Sequence, residues 1–216
     1  STGIFYFALG KFVMKSAGGI EKQRGIWEAG EWGNGVSEEE KLGTMNLKIG
    51  VISDTHGVWH PAIPAAFQGV QAILHAGDVG NLGILTRLQA IAPVTAVRGN
   101  CDSLAMAHLP EAALGEFAGY RIGLIHGHQF DYSRISESAF AHFAGDKASI
   151  VVHGHTHEPL VKKEACGFVV NPGAVKTGYT GRGPTVGVLE LNAGTNLLFT
   201  LHDLQSGETQ AYRLEW

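Results

Sequence analysis

Three histidines occupy alternate positions in the segment VVHGHTHEPL, which covers residues 151–160. Along an extended backbone, alternate side chains share a face, so His155 and His157 can converge on one point where the strand ends at Gly154. Two imidazole rings brought together in this way can bind a divalent metal ion. A histidine-rich loop that binds nothing has the same pattern, so the rest of the chain must decide between the two interpretations.

Oxygen ligands of matching chemistry follow three other apolar segments. Asp54 comes directly after GVIS, Asp78 after AILHAG and Asn100 after VTAVRG. These residues are about one strand–helix unit apart, so they should line up at the carboxyl ends of parallel strands, where open α/β sheets form their sites. His56, two residues beyond Asp54, and His126, directly after YRIGLI, would bring nitrogen ligands to the same edge.

The first half of the main domain predicts alternating strands and helices. NLKIGVIS, QAILHAG and VTAVRG are compact apolar strands, and PAIPAAF between the first two predicts a short helix with Pro61 near its first turn. NLGILTRLQAI predicts a second helix whose apolar stripe consists of Leu82, Leu85, Leu88 and Ile91. Such alternation favours parallel strands joined by right-handed crossovers, with helices covering a face of the sheet.

The second half predicts a hairpin, one helix and a series of short strands. GEFAGYRIGLIHG should turn at Ala118 and Gly119, SRISESAFAHFA should form an amphipathic helix, and SIVVHG should form a buried strand. Beyond Pro159 the chain alternates short strand segments with turns. Two packed sheets flanked by helices are the simplest architecture for this order of elements.

Composition limits the partners that this chain can have. A length of 216 residues, 44% hydrophobic and 17% charged, is enough for one sizeable core with an appendage. The net charge of −4 and pI near 6.2 give no strong signal for nucleic acid, and the apolar residues 3–14 are too few to span a bilayer.

Cys101 and Cys166 suggest no disulfide framework, so we predict a reducing, cytoplasmic location. A homo-oligomer remains open.

Five short blocks, SDTHG, GDVG, GNCD, HGH and GHTH, follow one another in this order, each at a predicted strand end. They resemble the five signature motifs of the calcineurin-like metallophosphoesterases, in particular the small bacterial and archaeal phosphodiesterase branch. The resemblance covers residues 46 to about 191. It implies an α/β fold of four layers, with two mixed sheets between helices. Residues 45–216 would form this domain, and residues 1–44 an irregular amino-terminal extension.

The resemblance also implies a set of metal ligands. Carboxylate, amide and imidazole ligands without thiolate suit borderline divalent ions, of which we expect Mn²⁺, with Fe²⁺, Zn²⁺, Ni²⁺ and Mg²⁺ as alternatives. Gly77 and Gly99 should let the backbone approach the ligands closely. By resemblance, Asp78 would bridge two ions, one held by Asp54, His56 and His157 and the other by Asn100, His126 and His155.

The activity implied by this resemblance is hydrolysis of a small phosphate ester. A hydroxide bridging the two ions would attack phosphorus in line, in a cleft whose local charge the ions make positive, roughly +1. A phosphodiesterase is the principal interpretation, and a phosphomonoesterase or nucleotide-polyphosphate hydrolase is the alternative. A third reading is a non-catalytic scaffold related to the retromer subunit, which shares this fold. Because every ligand position is filled in this sequence, we expect an enzyme.

Two residues next to the predicted ligands bear on how the leaving group would be protonated. Cys101 stands where many relatives have histidine, which favours substrates with good leaving groups; a small apolar filler and a reactive thiol are both open for it. His128 and Asn100 are the candidate catalytic and substrate-binding residues, with a surface histidine as the alternative for His128. His75 and His153 lie inside strand segments and should support ligands rather than bind metal.

Overall fold

Two six-stranded sheets form the middle of the molecule in the computed structural model, which describes residues 10–15, 46–177, 183–192 and 197–216. In spatial order the first sheet contains β12 (Thr209–Leu214), β11 (Leu197–Asp203), β10 (Thr185–Asn192), β2 (Asn46–Ile52), β3 (Ala72–His75) and β4 (Val94–Ala96). Strands β2, β3 and β4 are parallel, as predicted. Strands β10, β11 and β12 continue the sheet beyond β2 as an antiparallel meander.

The second sheet is also mixed. In spatial order it contains β1 (Gly10–Lys15), β5 (Ala112–Phe117), β6 (Tyr120–Ile125), β7 (Ile150–Val152), β9 (Gly167–Asn171) and β8 (Leu160–Glu164). Strands β6, β7 and β9 are parallel, and the pairs at both edges are antiparallel. The predicted hairpin turns at Ala118 and Gly119, whose φ angles of 47° and 82° both lie in the left-handed region that such two-residue turns require.

Strand β1 lies within the segment that the sequence assigns to an irregular extension. It pairs with β5 from Gly10 opposite Phe117 to Lys15 opposite Ala112. The expectation of irregular structure is therefore wrong for residues 10–15. The rest of residues 1–44 lies outside the described residues, and the domain boundary at Met45 stays a prediction.

Three apolar clusters hold the layers together. Ile49, Leu74 and Leu124 belong to the largest cluster, in which alternate residues of both sheets meet, as expected for sheets packed face to face. The outer face of the first sheet packs against helices α1 (Ile63–Ala66) and α2 (Leu82–Gln89), and that of the second against α3 (Ile135–His142). This order of helix, sheet, sheet and helix is the predicted four-layer α/β fold.

Helix α2 shows where the apolar stripe was predicted wrongly. The side-chain oxygen of Asn81 accepts a hydrogen bond of 2.7 Å from the N–H of Gly83 and caps the helix. Leu82 therefore lies in the first turn, where it is 47% exposed, and the buried residues are Ile84, Leu85 and Leu88. None of the helices in the described ranges has the length and apolar character needed to cross a membrane. The cytoplasmic location stays a prediction.

Candidate metal centre

The carboxyl ends of parallel strands from both sheets meet at one place. Three predicted ligands lie shortly after the ends of strands in the first sheet: Asp54 after β2, Asp78 after β3 and Asn100 after β4. His126 directly follows β6, and the loop with His157 follows β7, but these strands belong to the second sheet. The sequence places all ligands at a single edge; instead, the edges of two sheets face each other across the centre.

The backbone is strained at most of the predicted ligands. Among the described non-glycine residues seven have positive φ, and five of these are predicted ligands: Asp54 (51°), His56 (44°), Asp78 (53°), His155 (67°) and His157 (60°). Each such conformation costs about 1–2 kcal/mol for an L-residue. Hydrogen bonds between neighbouring loops maintain it, including Asp54 N–H to Gly77 O (3.0 Å) and His56 N–H to Asp78 O (2.8 Å). Strain clustered in this way marks a functional site.

The first group of ligand atoms consists of one carboxylate oxygen and two imidazole nitrogens. Asp54 Oδ1 lies 3.2 Å from Nε2 of His157 and 4.0 Å from Nε2 of His56, and the two Nε2 atoms are 3.2 Å apart. Asp54 Oδ2 accepts hydrogen bonds from Ser53 Oγ (2.6 Å) and the His155 N–H (3.0 Å). Oδ1 is buried and accepts no hydrogen bond from the described residues. A divalent cation would satisfy this oxygen, so the group fits a metal.

The second group forms around His126. Its Nδ1–H donates to the carbonyl of Ala76 (2.7 Å), which turns Nε2 towards Asn100 Oδ1 (3.2 Å) and Asp78 Oδ2 (3.4 Å). A backbone carbonyl that fixes the ring in this way is typical of metal-binding histidines. Burial lowers the pKa of His126, but the hydrogen bond that its ring donates to Asp78 and the charges of Asp54 and Asp78 outweigh burial and raise this pKa. The same carboxylates would attract a metal cation to Nε2.

Asp78 lies between the two groups and faces both with one oxygen. Oδ2 is 3.7 Å from His56 Nε2 and 3.4 Å from His126 Nε2, whereas Oδ1 accepts a hydrogen bond from the Cys101 N–H (2.8 Å). Burial raises the pKa of Asp78, but the hydrogen bond and charge of His126, with the Cys101 N–H, hold it well below its usual range. The side chain is therefore ionised at neutral pH. A single oxygen of Asp78 is therefore directed at both groups.

His155 and His128 stand beside the second group. The ring of His155 lies 5.1 Å from that of His126, edge to face, and the ring of His128 lies 5.5 Å from His126 and 6.4 Å from His155. Burial lowers the pKa of both His155 and His128, and for the predicted ligand His155 this favours the neutral ring. Metal binding requires neutral imidazole. The structure thus brings all eight predicted site residues together, and their roles as ligands, catalysts and substrate contacts stay predictions.

Cys101 matches neither of the two roles considered for it. Its side chain is exposed, so it does not fill the core, and its Sγ accepts a hydrogen bond from Asn100 Nδ2 (3.3 Å). Partial desolvation of the sulfur, followed by the hydrogen bond to Asp78 and its charge, raises the pKa of the Cys101 thiol to about 11. Because the thiolate is the reactive form, this raised pKa disfavours a reactive thiol at neutral pH.

Close backbone approach is required at three glycines around the ligands. A Cβ at Gly99 would overlap the side chain and backbone nitrogen of Asp78, and one at Gly77 would lie 2.7 Å from Nδ1 of His126. Both were predicted. The sequence analysis missed Gly154, where a Cβ would overlap Ser53 Oγ; its place between His153 and His155 was the available signal.

His75 and His153 support the ligand loops, as predicted. His75 is fully buried; the Gly77 N–H donates to its Nδ1 (3.3 Å), so its Nε2–H donates to Thr55 Oγ1 (3.0 Å). His153 is also buried, and its Nε2 is bonded to Ser136 Oγ (3.1 Å). These bonds leave neither ring directed at the metal groups.

Comparisons with known proteins show which proteins this chain is similar to. The model of the calcineurin-like phosphoesterase superfamily domain matches residues 47–194. A probable metallophosphoesterase of Methanothermobacter thermautotrophicus is 36% identical over 133 residues, which are 59% of this chain and 77% of that protein. Phosphodiesterase YfcE of Escherichia coli is 30% identical over 172 residues, covering 67% of this chain and 88% of that protein.

Two solved structures show the same fold. Vps29 of Entamoeba histolytica, solved in complex with Zn²⁺, superimposes with a TM-score of 0.64 at 23% identity, over 77% of this chain and 98% of that one. The structure of the phosphoesterase YfcE from E. coli gives a TM-score of 0.58 at 23% identity, over 78% of this chain and 100% of that one. At these identities the structures support the fold alone.

Gly99→Ala should weaken metal binding, because the added methyl group displaces Asp78. We expect an affinity for Mn²⁺ about 10–100-fold lower than in the unmodified protein, measured by calorimetric titration of chelator-treated protein. Gly145→Ala is the matched control, since its Cβ would meet nothing within 4 Å. Equal affinities in the two variants would contradict the proposed close packing around Asp78.

Acidification should destabilise the fold through His75 and His153. Burial lowers the pKa of each to about 4 from an ordinary value of 6.5. Below pH 6.5 the unfolded chain binds protons that the folded rings reject, so stability is present above that pH and lost as pH falls towards 4. By pH 5 the loss is about 2 kcal/mol for each ring. Urea denaturation of chelator-treated protein from pH 7.5 to 5 measures it. His75→Gln should flatten the dependence and His108→Gln, at an exposed position, should not.

Proposed function

The chain belongs to the calcineurin-like phosphoesterase superfamily, and we propose that it is a metal-dependent phosphodiesterase whose centre holds two divalent ions. The observation that carries this proposal is the position of Asp78, whose Oδ2 lies within 3.7 Å of His56 Nε2 and 3.4 Å of His126 Nε2. One carboxylate oxygen directed at two separate groups of ligand atoms fits a bridge between two cations. With a single ion bound, one of the two groups of ligand atoms would hold no metal.

The charge of the centre supports metal binding independently. Asp54 and Asp78 are 0% and 2% exposed, and imidazole nitrogens lie within 4 Å of both carboxylates. Buried carboxylates are costly unless cations or strong donors compensate them. Divalent ions bound here would polarise the phosphoryl oxygens and activate a water molecule for attack on phosphorus. We expect Mn²⁺, with Fe²⁺, Zn²⁺, Ni²⁺ and Mg²⁺ as alternatives.

The residues of the chain would position the substrate around this centre. Asn100 directs Oδ1 towards His126, and its Nδ2–H₂ group, bonded to Cys101 Sγ at 3.3 Å, has a second proton for a phosphoryl oxygen. His128, 25% exposed at the rim, is the candidate to contact the phosphate or to protonate the leaving oxygen. Cys101 offers no acid of comparable strength, because its thiol pKa is raised to about 11.

A phosphodiester is the proposed substrate class because YfcE, the curated relative of which this chain covers 88%, is named a phosphodiesterase. Phosphomonoesters and nucleotide polyphosphates would bind the same ions and remain the alternative. A non-catalytic scaffold related to the retromer subunit is the third candidate, because a shared fold does not by itself imply catalysis. The filled set of ligand positions, with their strained backbone, favours an enzyme over the scaffold.

A substrate panel with elemental analysis tests the function. We expect bound divalent metal in the purified protein and Mn²⁺-dependent hydrolysis of bis(4-nitrophenyl) phosphate, faster than that of 4-nitrophenyl phosphate or ATP. Excess chelator should abolish it, and added Mn²⁺ should restore it. Preference for the monoester or ATP would favour the alternative hydrolases, and a metal-loaded protein without any hydrolysis would favour the scaffold.

Asp78→Asn should reduce turnover at least about 100-fold, because it removes the shared negative oxygen while keeping the shape of the side chain. Circular dichroism and thermal melting should show an intact fold. Near-normal turnover in this variant would contradict the bridging role of Asp78.

His128→Ala should lower turnover most for esters with poor leaving groups, since only these need protonation as the P–O bond breaks. We expect a loss of about 100-fold for an alkyl ester and less than about threefold for the 4-nitrophenyl ester, which serves as the internal control. Measuring kcat across a series of leaving groups decides the point. Equal losses throughout the series would remove the acid role from His128.

A further inference from the structure

An ion pair that belongs to none of the five motifs lies at the rim of the centre. The Arg98 guanidinium pairs with Oε1 of Glu111, and the backbone N–H of Arg98 donates a hydrogen bond to the carbonyl of Pro110 (2.8 Å). Arg98 lies on the loop that leads from β4 to Asn100, in the first sheet, and Glu111 directly precedes β5 in the second. Backbone and side-chain bonds together therefore fix the Glu111 carboxylate relative to the metal groups.

The second oxygen of the same carboxylate faces His128. Glu111 Oε2 is 3.9 Å from His128 Nε2, and the His128 side chain is 25% exposed. Its Nδ1 is buried without a hydrogen-bond partner among the described residues. Glu111 is thus the charged side chain placed to orient this ring, which otherwise contacts the rings of His126 and His155.

We propose that Glu111 is a positioning residue for the phosphoesterase reaction, acting through His128. At 3.9 Å the two atoms are too far apart for a direct hydrogen bond, but the attraction between carboxylate and ring N–H holds the Nε2 edge in one direction. A ring oriented in advance loses less conformational entropy in the transition state, so the benefit is in kcat. The inference rests on the proposed function and deepens it.

Arg98 explains how a carboxylate can stand beside a site for an anionic substrate. A lone negative charge at the rim would repel a phosphate ester. The paired guanidinium offsets that charge, and the ion pair leaves Oε2 directed at His128. Both side chains are more than one-third exposed, at 39% and 38%, so the pair contributes little to stability and its removal should leave the fold intact.

Glu111→Gln tests the proposal, since it keeps the shape of the side chain and removes the charge. With an alkyl ester as substrate we expect kcat to fall about tenfold, with KM and metal content changed less than about twofold. In a His128→Ala background the same change should have no further effect, because Glu111 acts through that ring. Glu137→Gln is the matched control: it breaks the exposed pair with Arg134, whose Nε lies 3.2 Å from Glu137 Oε2, and should leave kcat unchanged.

A second measurement does not depend on activity. In ¹H–¹⁵N spectra of the histidine rings of metal-free protein, the His128 signals, assigned by their loss in His128→Ala, should shift in Glu111→Gln and not in Glu137→Gln. Unchanged His128 signals, unchanged kcat in Glu111→Gln, or additive losses in the double variant would each overturn the proposal. An unmodified protein without hydrolytic activity would instead overturn the proposed function, and the ring signals would then decide the position of His128.

Discussion

The burial of Asp54 and Asp78 is the constraint around which the centre is built. Burying a carboxylate away from water raises the free energy of a fold by several kcal/mol unless cations or hydrogen-bond donors compensate it. The protein supplies donors to one oxygen of each carboxylate: Ser53 Oγ and the His155 N–H to Asp54 Oδ2, and the Cys101 N–H to Asp78 Oδ1. The other oxygens face imidazole nitrogens. This division leaves one oxygen of each carboxylate for a cation.

The surrounding backbone holds these side chains in place by adopting conformations that are unfavourable for L-residues. Five predicted ligands have positive φ, and the hydrogen bonds between the loops after β2 and β3 keep Asp54 and His56 in that conformation. Glycines at 77, 99 and 154 leave room for the side chains of neighbouring loops. A rigid arrangement of this kind is required because the ligand atoms must stand within a few ångströms of a common point before any ion binds.

Family membership and fold do not by themselves decide what the centre does. The relatives include a protein named a phosphodiesterase, and the structural neighbours include Vps29. The proposal of hydrolysis rests on particular residues of this chain, namely the candidate metal ligands, His128 at the rim and the Arg98–Glu111 pair beside it. Such side chains differ among proteins of one fold, and function depends on them.

The sequence by itself determined the order of the elements and the candidate ligands. Hydrophobic periodicity predicted the parallel strands β2, β3 and β4 and helix α3, because burial of a face leaves a pattern in local sequence. Polar residues at strand ends then indicated Asp54, Asp78, Asn100 and His126. Residues 10–15 were missed as a strand, since β1 gains its hydrogen bonds from β5, about one hundred residues away along the chain.

Only the tertiary structure decided how these residues meet. The loops with His126, His155 and His157 follow strands of the second sheet. One oxygen of Asp78 is directed at both groups of ligand atoms, and Glu111 lies beside His128. None of these relations follows from spacing along the chain, because they depend on how two sheets pack and on side-chain orientation. The sequence could therefore specify which groups were available for chemistry, and the packing of the two sheets determined their distances and directions.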